Sequence, residues 1–83
     1  MSTHEIQNLI CHTGQFTFID GQQNEGMIVS RYNISAAQIE YYFIPSMNVI
    51  AYQAAKAHAE RDAHKKLGEI IDIGNISHAK LIN

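Results

Sequence analysis

At 83 residues the chain has room for one small domain, and its lone cysteine, Cys11, excludes an intramolecular disulfide and a Cys/His zinc set. Six Lys and Arg against eight Asp and Glu leave a net charge of −2 with His neutral, a poor electrostatic footprint for nucleic acid. So small a fold without staples depends on good packing or on a partner chain, so self-association is expected.

The opening stretch MSTHEIQNLI has neither the basic start nor the unbroken apolar core of a secretory signal. No apolar run approaches the roughly 20 residues of a membrane span. The expectation is a soluble, cytoplasmic protein with no membrane partner.

Ser2 and Glu5 form a capping-box pattern, and Ile6, Leu9 and Ile10 fall on one helical face, which predicts a short helix over 2–12. Gly14 stands where a glycine would end it, and Cys11 falls near the edge of the buried face. QFTFID then alternates, with Phe16 and Phe18 on one face and Thr17 and Ile19 on the other. GMIVSRY separates Met27, Val29 and Arg31 from Ile28, Ser30 and Tyr32 in the same way, so the two runs predict a β-hairpin. Its loop is read as a bend. A phosphate cradle would run into a helix N-terminus, whereas this loop runs into a strand, lacks a P-loop lysine and carries Asp20 and Glu25.

After the polar break NISAAQ, the stretch IEYYFI predicts a third strand stopped by Pro45. Tyr41 and Tyr42 must face opposite sides of it, and alternation alone does not say which is inside. One long helix is expected from Ser46 or Asn48, either of which can cap it, to Leu67, with Gly68 at its end. Its predicted inner stripe is Tyr52, Ala55, Ala59, Ala63 and Leu67, and its outer face carries His58, Arg61, Asp62 and Lys65. EIIDI predicts a fourth strand and Gly74-Asn75 a turn, while NISHAKLI reads either as a fifth strand or as a helical turn. The fold class is α+β: a short N-terminal helix, an antiparallel sheet of four or five strands curling toward a small barrel, and one long helix between strands three and four.

Residues 14–33, GQFTFIDGQQNEGMIVSRYN, resemble the first half of an Sm-like small barrel. A short helix precedes a strand ending in Asp20-Gly21, and Gly26 precedes the aliphatic Ile28 by two residues. IIDIGNISHAKLI faintly resembles that family's closing strand pair. The resemblance implies a small barrel and ring or dimer assembly. Its RNA-contacting Asp and Asn are replaced at about those places by Tyr32 and Ala36, and the basic residue before the closing-turn glycine is Ile73. An inserted helical segment also separates strands that the family joins by a variable loop. RNA binding is therefore not carried over by the resemblance.

Chemistry-bearing residues are sparse. His58 and Asp62, four apart on a helix, would share a face, but His64 lies about 120° away, and two ligands do not make a zinc site. Cys11 and His12 are helical neighbours pointing about 100° apart, with no third group to orient the base. No catalytic residue, metal or cofactor is expected. The candidate binding residues are Arg31, Tyr32 and Tyr42 on the strands, where an exposed Tyr would stack a base or anchor a protein, and Lys65 and Lys66 at the helix end. Those lysines also complement the negative end of the helix dipole. The function expected is a non-catalytic, self-associating interaction module with a protein partner or a second copy. The alternative is an Sm-like regulator binding RNA or a nucleotide.

Overall fold

The computed structural model describes residues 1–82. Among them, the chain forms α1 (Thr3–Ile6), β1 (Thr13–Phe18), β2 (Gln23–Asn33), β3 (Gln38–Pro45), α2 (Ser46–Ala57), α3 (Ala63–Leu67), β4 (Glu69–Ile71), a 3-10 turn at Ile73–Asn75 and β5 (Ile76–Leu81). The strands make one antiparallel sheet in the order β4-β3-β2-β1-β5, and its two end strands do not pair, so the curl stops short of a closed barrel. The final segment is a strand, because β1 offers it a full edge from Gly14 to Phe18. No helix among the described residues is long and apolar enough to cross a membrane.

Both faces of the central strands are covered. Phe16, Ile28, Phe43 and Ile76 point to the concave face, where Ile6 from α1 and Ile73 from the 3-10 turn complete a core. Met27, Val29, Tyr42 and Ile44 point the other way and are covered by Val49 and Tyr52 of α2 and Ala63 of α3. Two-sided cover explains why Gly26 to Val29 are buried without a break, where a sheet with one wet face would alternate. Gly14 faces Gly26 across β1 and β2, and a Cβ on Gly26 would run into the Ile44 carbonyl and the Phe43 ring. Glycine is needed there for close packing, and Gly14 is a buried strand residue rather than a helix terminator.

The first helix is shorter than its pattern suggests. The Ser2–Glu5 capping box forms, but the helix closes after one turn, because Cys11 adopts a φ of 68° and its N–H bonds the Ile28 carbonyl at 2.9 Å. Pulling the chain onto β2 costs the second turn, and Cys11 is exposed rather than set against the core. The β1–β2 bend is tight. Phe18 N–H reaches Gln22 O at 2.8 Å, Gly21 N–H reaches Phe18 O at 2.9 Å, and Gly21 has φ 90°. That is a three-residue hairpin loop with a glycine bulge. Asn24, Glu25 and Gly26 belong to β2, not to the loop.

The helical segment between β3 and β4 comes in two pieces. At the end of α2, Glu60 N–H bonds Ala55 O, Ala59 N–H bonds Lys56 O, and Ala59 has φ 57°. This is a Schellman cap with alanine in the position that favours glycine. Ala59 is accordingly exposed instead of lying on the inner stripe, and α3 restarts after Asp62. Neither Ser46 nor Asn48 caps α2. Its N-cap is Pro45, and the Asn48 side chain instead donates to Leu67 O at 3.0 Å, tying the start of α2 to the end of α3.

Candidate interaction surfaces

The β2–β3 hairpin runs past the rest of the sheet. β1 pairs with β2 only as far as Met27, and β4 covers β3 only from Tyr41 to Phe43. Ser30–Asn33 and Gln38–Glu40 therefore form a two-stranded arm with no strand on either side. Its turn is held by Asn33, whose Oδ1 accepts the Ala36 N–H at 3.1 Å, and by Ala37 at φ 53°.

The faces of the arm differ sharply. On the convex side Glu40 accepts from Asn33 Nδ2 and from the Tyr42 hydroxyl, both at 3.1 Å, and Arg31 lies directly across from it. On the concave side Tyr32 pairs across the strands with Ile39, and they are 60% and 57% exposed. Ile34 in the turn is 84% exposed. A two-stranded ribbon is marginal by itself in water, and this one presents its apolar face uncovered.

Tyr42, not Tyr41, is the buried member of the adjacent pair. It sits under the helices with its ring edge-on to His64, centroids 4.6 Å apart. Burial raises its hydroxyl pKa, and the hydrogen bond to Glu40 adds to the rise. His64 is buried too, and its pKa is lowered first by burial and then by the nearby positive charges of Arg31 and Lys65.

The candidate binding residues thus do not converge on one site. Tyr42 belongs to the core and offers no free ring face. Arg31 and Lys65 both act on His64 on the convex side, while Tyr32 points to the opposite face of β2. Lys66 lies elsewhere, on a cleft at the far end of the sheet. His58 and Asp62 fall in the break between helices, so they are not an i,i+4 pair on one helix, and no metal-holding group occurs among the described residues.

That cleft has a volume of about 720 Å³. Phe18, Phe43, Leu67 and Ile71 supply its apolar lining. Asp20 from the β1–β2 bend and Lys66 and Glu69 from the α3–β4 junction stand at its edge. Its parts are local turn and junction residues spread from 18 to 75, so no short motif could announce it.

Compared with family models, with curated proteins and with solved structures, the chain matches none of them.

Proposed function

We infer that the protein is a non-catalytic interaction module that self-associates through the β2–β3 arm. The observation that carries this reading is the uncovered pair Tyr32 and Ile39 on a ribbon with both edges unpaired. The same face of a second copy, related by a two-fold axis, supplies a matching apolar surface and lets each arm shelter the other. Buried tyrosines are among the residues that carry most of the energy of such contacts.

The test is light scattering after size exclusion over a range of concentrations. The expected species has at least twice the 9.3 kDa of one chain. The double variant Tyr32→Ser, Ile39→Ser is expected to run as a folded monomer. Met47→Ser, Ile50→Ser, on a still more exposed part of α2, is expected to leave the assembly intact. A wild type that stays monomeric at every concentration refutes the reading, as does an assembly indifferent to the arm variant.

A second reading is an Sm-like regulator that binds RNA. It is supported by the positive charges of Arg31 and Lys65, both near enough to lower the His64 pKa, and by a short helix leading into a five-stranded sheet. It predicts an RNA complex that falls apart steeply with salt. No retention of RNA at low salt would end it.

A further inference from the structure

The cleft is independent of the arm, since it lies at the other end of β2 and β3, where β2 begins and β3 runs into α2. Its volume, about 720 Å³, is in the range of small-molecule sites. The rings of Phe18 and Phe43 meet edge to face there with centroids 6.1 Å apart, giving a firm aromatic lining.

The polar edge is held by backbone geometry. Asp20 Oδ1 accepts the Gln22 N–H at 3.0 Å within the glycine-bulge turn, so its second oxygen is left for another partner. Asn48 is fixed by its bond to Leu67 O, which leaves its own Oδ1 free. Lys66 and Glu69 stand either side of Leu67-Gly68, and the missing side chain of Gly68 lets the α3–β4 junction sit against the Phe43 carbonyl, 2.6 Å from where a Cβ would stand. Asn24 and Asn75 add further carboxamides.

The charges select the ligand. Lys66, Asp20 and Glu69 all line this one cleft. A purely anionic ligand would meet two carboxylates, and a purely cationic one would meet the ammonium. A compact zwitterion answers both, and the carboxamides donate to its carboxylate and accept from its ammonium. An apolar side chain on it would fill the space over Phe18, Phe43, Leu67 and Ile71. We propose that this cleft binds a free α-amino acid with a large apolar side chain, its ammonium toward Asp20 and Glu69 and its carboxylate toward Lys66.

The probe is L-phenylalanine, titrated into the isotopically labelled full chain and followed by amide chemical shifts. Saturable shifts are expected at 20–24, 66–69 and 75. Two analogues, 2-phenylethylamine without the carboxylate and 3-phenylpropionate without the amine, are expected to bind at least about tenfold more weakly, each having lost one charged contact. Lys66→Met should erase the preference over the amine, and Glu69→Gln should narrow the preference over the acid. Both side chains are exposed, so the amide spectra should otherwise be kept. Absence of saturable shifts with L-phenylalanine overturns the proposal. So does equal binding of either analogue, or a response confined to the arm. The oligomeric state bears on the arm alone and leaves this test unaffected.

Discussion

Ala59→Gly should stabilise the protein, although glycine is usually a destabilising substitution near helices. Ala59 occupies the left-handed position of the cap that ends α2, with φ 57°. An L-residue there costs roughly 1–2 kcal/mol, because its Cβ crowds the following carbonyl. Glycine removes that cost but loosens the unfolded chain, which returns about 0.4–1 kcal/mol. The net expectation is a gain of about 0.5–1 kcal/mol, or a rise in Tm of about 2–8 °C for a domain of this size. Thermal and urea unfolding followed by circular dichroism would measure it. Ala54→Gly, five residues earlier and inside α2, is the matched control and should lose up to about 1 kcal/mol. A gain at Ala59 requires the helix to be broken there. If residues 46–67 formed one continuous helix, both substitutions would destabilise alike, and a loss of stability in Ala59→Gly would refute the cap.

Three further outcomes follow from the core. Phe16 is fully buried on the concave side, so Phe16→Ala should cost about 3–5 kcal/mol, a large share of the roughly 5–15 kcal/mol of a typical domain, and show as a sharply lowered urea midpoint. Gly26→Ala would press a methyl against the Ile44 carbonyl and the Phe43 ring, and because the carbonyl is backbone it cannot step aside; a loss of roughly 1–3 kcal/mol is expected from the same assay. His64 should make stability depend on pH. Its folded-state pKa lies below the ordinary 6.5, chiefly through burial and then through Arg31 and Lys65, against the weaker opposing pull of Asp62 and Glu40. The unfolded chain therefore takes up the proton first, and this contribution is complete above 6.5 and lost as pH falls below it toward the folded value. His64→Phe, which keeps a ring against Tyr42, should flatten that part of the profile, whereas an unchanged slope between neutral and mildly acid pH would exclude His64 as its source.

The strands were legible because alternation is a short-range signal. Phe16 and Phe18 did share a face, and Asp20-Gly21 did turn. The apolar run MIV in β2 was also visible, but it read as alternation because nothing nearby in the chain says that a helical layer will cover the second face. The helix break was hidden for a related reason. Alanine, charged residues and histidine from 54 to 66 all suit a helix, and the cap that stops it uses backbone bonds and a positive φ on an alanine, which carries no compositional mark. Cys11 conceals the end of α1 in the same way. As for sites, the exposed character of Tyr32 could be suspected from its strand, but the burial of Tyr42 depends on α2 and α3, and the cleft on four separate junctions.

The broken helix and the exposed arm belong to one arrangement. Twelve residues of α2 reach about 18 Å, and the layer it forms is anchored at the cleft end, where Pro45 leads straight from β3 into the helix. Val49 and Tyr52 pack over Val29, Tyr42 and Ile44, and the cap at Ala59 then returns the chain toward β4 through α3, which packs Ala63 and His64 beside Tyr42. With the chain returned at that point, the convex side of the arm beyond Tyr42 is left to Arg31, Asn33 and Glu40, which suit water, and the concave side to Tyr32 and Ile39, which do not. Neither α1 nor β4 extends far enough to cover that pair, because α1 ends at Ile6 and β4 at Ile71. Among the described residues nothing covers that pair, which is why the arm, rather than the charged helix face, carries the proposed self-association.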